Sequence, residues 1–147
     1  MSEFQTPAGA AERDIYPLGW TAPESIAARS GRALADLTLA NVRDGLLGPD
    51  DFAIHAETLR RQAALAAEHG YPELAANLRR AAELTAVPDG ELLAIYEALR
   101  PGRATYAELS DLAARLETAY GAKDTAAFVR EAAAAYRETG LAPAAGG

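Results

Sequence analysis

The sequence predicts an all-α fold: a compact helical bundle of about five to six helices with an extended, irregular N-terminal arm. Three observations predict it. From residue 56 onward, apolar residues recur three and four positions apart, the spacing of a helix that buries one face. Most of these stretches are bounded by proline, a capping side chain or glycine, the punctuation of helix termini. No stretch alternates apolar and polar residues over the length a strand needs.

The elements follow in order. Residues 1–33 form the arm, in which Pro7, Pro17 and Pro23 interleave with Gly9, Gly19 and Gly31 and deny it a regular helix. The arm nevertheless carries Tyr16, Leu18, Trp20 and Ile26. Either it folds back on its own domain or it drapes over a partner chain. A bulky tryptophan without a helix to order it favours the partner. The helical domain spans residues 34–140, and residues 141–147 form a flexible tail of small residues.

Within that domain, Thr38 caps a short helix that ends at Gly45 and has Leu39 and Val42 on one face, and Gly48-Pro49-Asp50 is a turn. A helix from about Ala56 to His69 turns Leu59, Ala63 and Ala66 inward and stops at Gly70. Pro72 opens the next, which runs to about Thr85 with Leu74, Leu78, Ala81 and Ala82 inward. The short link makes these two antiparallel neighbours. Pro88 opens a third, with Asp89 and Glu91 near its dipole's positive end and a stripe of Leu92, Ile95, Tyr96 and Leu99. Pro101-Gly102 ends it. Thr105 and Glu108 form a capping box for a helix that buries Leu109, Leu112, Ala113 and Leu116 before Gly121. Asp124 caps the last helix, with Phe128, Ala132, Ala135 and Tyr136 inward and Gly140 at its end.

Composition narrows the function. Half of the 147 residues are hydrophobic, but many of these are alanine, so the core is thin and a partner would add stability. A net charge of −7 and the lack of any Lys/Arg run argue against nucleic acid and anionic membranes as partners. The absence of cysteine removes disulfides and thiolate ligands and fits a cytoplasmic location. No stretch of about 18 apolar residues is present to span a membrane.

The residue inventory yields no catalytic, cofactor-binding or metal-ligating candidates. His55 and His69 stand at opposite ends of one helical segment and read as a capping or surface residue and a last-turn residue. Ser25, Ser30 and Ser110 lie in no nucleophile-elbow sequence, and Lys123, the one lysine, lies in no phosphate loop. Glu68, Glu73, Glu97 and Glu117 read as solvated faces. Arg79 and Arg80, like Arg60 and Arg61, put a guanidinium beside an apolar stripe. They serve either intrachain pairs, such as Arg80 with Glu83, or a partner. The candidate partner-binding residues are therefore Tyr16, Leu18, Trp20, Arg79 and Arg80.

The middle of the chain is more specific. Asn77 to Leu84, Val87-Pro88-Asp89 and Ile95 to Pro101 together resemble the small subunit of adenosylcobalamin-dependent diol and glycerol dehydratases. Upstream, Leu37-Thr38-Leu39, Asn41-Val42, Gly48-Pro49 and Glu57-Thr58-Leu59 follow the same pattern, and Tyr16-Pro17-Leu18 matches its opening motif. Downstream, Ala107-Glu108-Leu109, Leu116-Glu117, Ala127 to Glu131 and Tyr136 continue it, so the likeness runs from about residue 14 to residue 138.

The resemblance implies a non-catalytic helical subunit in a complex of three kinds of chain, two copies of each. A large barrel subunit would hold substrate and a metal ion, and a medium subunit would help hold adenosylcobalamin. The implied reaction converts a 1,2-diol to an aldehyde and water by a radical route. Choice between glycerol and propane-1,2-diol would lie on another chain. Gly90 and Tyr120 depart from the family's usual larger polar residue and tryptophan. Only a short lead precedes Asp14, where some relatives carry an amphipathic extension for encapsulation, so that targeting is not expected here. The rival reading is a helical interaction adaptor unrelated to dehydratases.

Overall fold

The computed structural model describes residues 17–144, and divides the chain into two compact units, Met1–His55 and Ala56–Gly147. Among the described residues every regular element is helical, apart from one isolated antiparallel bridge between Ala27 and Ala33. The all-α expectation holds.

In the first unit the helices are short: α1 (Leu18–Thr21), α2 (Leu39–Arg43) and α3 (Pro49–Phe52). Two single 3-10 turns, Pro23–Ser25 and Leu34–Asp36, lie between α1 and α2. Pro17 does not bar a turn here, because it stands at the cap position where no amide is needed. Thr38 caps α2 as expected, accepting from the Asn41 amide. The Gly48-Pro49-Asp50 turn is in fact the start of a single α-turn, with Pro49 at its first position.

The described part of this unit is organised around a charge. Asp51 is its one buried residue, 7% exposed. Its carboxylate accepts from the Ser30 hydroxyl at 2.5 Å, the Gly48 amide at 2.7 Å and the Arg32 Nε at 3.1 Å. Arg32 also donates to the Leu46 carbonyl at 3.0 Å. These bonds hold the Asp51 carboxyl below the usual aspartate range, the Ser30 hydroxyl contributing most and Gly48 next. Gly31, at φ 87°, closes the tight loop between Ser30 and Arg32 in a conformation that favours glycine.

The second unit contains the long helices: α4 (Ala56–Glu68), α5 (Pro72–Leu84), α6 (Asp89–Ala98), α7 (Tyr106–Tyr120) and α8 (Lys123–Thr139). Their bounds agree with the sequence pattern to within a residue or two. Ala63, Ala66 and Ala75 form a seam between α4 and α5, with Leu78 packed on it. The main core joins α6, α7 and α8 through Ile95, Leu109, Leu112, Leu116 and Val129, with Leu84, Leu92 and Leu99 against it. Among the described residues nine of the fifteen buried hydrophobic residues are alanine, so helices approach closely and little side-chain volume lies between them.

The caps show why the boundaries fall where they do. Thr105 Oγ1 accepts from the Glu108 amide, and the Glu108 carboxylate accepts from the Thr105 amide at 2.7 Å, the reciprocal box expected. That bond from the Thr105 amide is the main reason the Glu108 carboxyl is held below its ordinary value. Gly121 ends α7 at φ 64° in the left-handed region.

At α8 the expectation needs correcting. Asp124 does not cap it; the cap position is Ala122, and the capping carboxylate comes from Glu83 on α5. Glu83 accepts from the Asp124 amide at 2.9 Å, the Thr125 amide at 2.8 Å and the Thr125 hydroxyl at 2.7 Å. Asp124 is thereby released to pair with Arg79.

The buried face of α8 is also shifted from the expected one. Thr125, Ala126, Val129 and Ala133 face the core, whereas Phe128 is 45% exposed, Ala135 is exposed, and Ala132 and Tyr136 are half-buried. On α5, Ala75 rather than Leu74 is buried, and on α6 Tyr96 is 57% exposed. After α8, the Leu141 amide returns to the Tyr136 carbonyl at 2.8 Å, and the Leu141 carbonyl accepts from Gly102 at 2.8 Å.

Candidate functional site

The five residues singled out for partner contact are distributed over both units. Tyr16 lies outside the described residues. Leu18 and Trp20 share α1, where Leu18 is half-buried and Trp20 is 86% exposed. Arg79 and Arg80 share α5 in the other unit.

In the first unit Trp20 has company that sequence reasoning missed. Leu39 (82% exposed), Leu46, Phe52 and Ile54 are also exposed, as is Val42. The helical period placed Leu39 and Val42 on one face of α2, but a five-residue helix has too few turns to build a core under it.

In the second unit Arg79 and Arg80 have intrachain partners different from those expected. Arg79 Nε lies 3.0 Å from Asp124 Oδ2, with both side chains about half exposed. Arg80 donates to the Asn77 side-chain oxygen and stacks over the Phe128 ring, 4.5 Å from its centroid. The expected Arg80–Glu83 pair is replaced because Glu83 caps α8. Arg79, Arg80, Asp124 and Phe128, with Ala76, Ala127 and Glu131, line a shallow groove of about 200 Å³ between α5 and α8. A guanidinium seated on an aromatic ring and held by an amide presents a fixed, part-dehydrated donor set, the kind of group that anchors protein interfaces.

Other titratable groups serve the fold. Tyr120 donates to Glu91, which raises its phenol above the ordinary range, and Arg115 pairs with the same carboxylate at 2.9 Å. Arg100 donates to Glu97 and holds that carboxyl low, with Arg103 3.1 Å away on the other side. His69 stands one residue past the end of α4, not in its last turn as expected, with its Nδ1 2.9 Å from the Leu65 carbonyl. Among the described residues no three His, Cys, Asp or Glu side chains converge as a metal site. No helix among them is long and apolar enough to cross a membrane.

Comparison with known proteins identifies the family. A family model described as dehydratase small subunit matches residues 11–141. The chain is 50% identical over 123 residues to the propanediol dehydratase small subunit of Citrobacter freundii, covering 84% of this chain and 72% of that one. It is equally similar to the propanediol dehydratase small subunit of Salmonella typhimurium, at 50% identity over 84% of this chain and 71% of that one.

Proposed function

Because the chain belongs to the dehydratase small-subunit family, we propose that it is the non-catalytic small subunit of an adenosylcobalamin-dependent diol or glycerol dehydratase. Family membership sets aside the unrelated adaptor. The complex would contain a large catalytic barrel subunit, a medium subunit and this chain, two copies of each, in the cytoplasm. Adenosylcobalamin, when bound, supplies the radical that starts removal of water from a 1,2-diol to give an aldehyde. In this reading the partner subunits hold the metal ion and the cobalamin; among the described residues of this chain no three His, Cys, Asp or Glu side chains converge.

The observation that carries this reading is the surplus of exposed apolar and aromatic side chains on a chain matched to its family along nearly its whole length. Trp20 and Leu18, with Tyr16 beside them in sequence, are proposed to dock on the large subunit, and Arg79 and Arg80 to orient polar contacts. The division into an arm over residues 1–33, a helical body over 34–140 and a tail over 141–147 belongs to the same proposal.

Co-elution on a size column tests it. The full chain should elute with the large and medium subunits, and alone should neither dehydrate diols nor bind cobalamin. Deleting residues 1–33 should leave the free chain's circular dichroism nearly unchanged and weaken its retention in the complex. Elution apart from both subunits, or turnover by the chain alone, would defeat the reading.

A further inference from the structure

The first unit is held together differently from the second. Between residues 17 and 55 no hydrophobic side chain is fully buried. Burial of apolar surface is the main force that opposes chain entropy, and here it is only partial, with Leu18, Ile26, Leu34, Leu37 and Leu47 half-buried and none enclosed. The long-range ties inside the unit are polar: Ser30, Gly48 and Arg32 on Asp51, Arg32 on the Leu46 carbonyl, and Arg29 beside Asp50 at 4.0 Å. Water competes for each of them in the free chain. In contrast, Leu109, Leu116 and Val129 of the second unit are fully enclosed by their own chain.

We infer that residues 17–55 acquire their fold on the larger dehydratase subunit, which covers Trp20, Leu39, Leu46, Phe52 and Ile54 while the Asp51 centre latches the segment in its docked shape. This rests on the docking reading above. The occupant is a partner chain because this chain leaves those side chains bare, and because the family match includes the whole segment, which is thus part of the common subunit rather than an appendage. Covering the segment excludes water from the Asp51 bonds and strengthens them, so docking and latching reinforce one another. A segment with this composition of contacts is ordered at the moment of binding.

Hydrogen exchange read by mass spectrometry, on the full chain alone and in the three-subunit complex, tests the inference. Peptides from residues 17–55 should exchange at the fastest times in the free chain and slow by about tenfold or more on assembly, while α7 and α8 are protected in both. Asp51→Ala should leave exchange of the free chain unchanged and weaken retention in the complex by about tenfold. Slow exchange of residues 17–55 in the free chain, or wild-type retention of Asp51→Ala, would overturn it. Assembly with residues 17–55 still exchanging fast would overturn this inference alone. A wild-type chain that does not assemble at all would bring down the docking reading and this inference with it.

Discussion

Replacing Glu83 by alanine is a direct test of how the second unit is closed. Its carboxylate reaches from α5 to the first turn of α8 and accepts three hydrogen bonds, from the amides of Asp124 and Thr125 and from the Thr125 hydroxyl. Loss of a helix N-cap costs about 1 kcal/mol, within a range of about 0.5–2. The Thr125 hydroxyl is buried, and removal of its acceptor adds roughly 1–3 kcal/mol unless it turns to a backbone carbonyl. Together Glu83→Ala should destabilise the full chain by about 2–4 kcal/mol.

Urea denaturation followed by far-ultraviolet circular dichroism gives the magnitude, with the midpoint falling at constant slope. Glu83→Gln keeps one carbonyl acceptor and should lose about half as much. Thr125→Val alone removes the hydroxyl, and the Glu83→Ala/Thr125→Val double variant should show a coupling of about 1 kcal/mol. A Glu83→Ala loss below about 0.5 kcal/mol, or strict additivity in the cycle, would refute the reasoning.

Leu116 is fully buried, so Leu116→Ala should cost about 2–5 kcal/mol in denaturant melts; Phe128→Ala, at a half-exposed site, should cost under about 1 kcal/mol in the free chain. Gly90 lies in α6 with no heavy atom within 4 Å of an added Cβ, so Gly90→Ala should stabilise by about 0.5–1 kcal/mol, read as a higher urea midpoint. The Thr105–Glu108 box should show in the pH dependence of stability. The Glu108 carboxyl is held low in the folded chain, so its contribution is complete above the ordinary value of 4.5 and is lost as the pH falls through the lower folded value. The stability gap between wild type and Glu108→Gln should therefore be constant near neutral pH and close in acid; a gap that widened in acid would contradict the assignment.

The parts of the fold that depend on near neighbours were legible in the sequence. Helix α7 is the plainest case, with Thr105 and Glu108 at one end, Gly121 at the other and leucines in register between them. Helix α8 was harder because alanines occupy every side of it. With no contrast in size the stripe has no sharp phase, and Phe128 drew the reading one position away from Val129. The Glu83 cap joins residues 41 and 42 positions apart, and the Asp51 centre joins Asp51 to Ser30 and Arg32, 21 and 19 positions away. No local period records such contacts. At the candidate site the exposure of Trp20 was legible, because bulk and proline punctuation stand together there. The Arg80 stack on Phe128 was not, since it depends on the phase of α8.

The alanine seam reverses the usual direction of mutational tolerance. In a leucine-rich interior the harmful changes are deletions of bulk, and drift toward smaller residues is held in check. At Ala63 and Ala75 of the seam, and likewise at Ala113 of the main core, each 2% exposed or less, there is almost nothing to delete, and an added methylene must push neighbouring helices apart. A saturation scan of these positions should find glycine and serine the milder replacements and valine, leucine and phenylalanine the severe ones. Such positions set a ceiling on side-chain size, so the tolerated substitutions should fall on the outward faces of these helices.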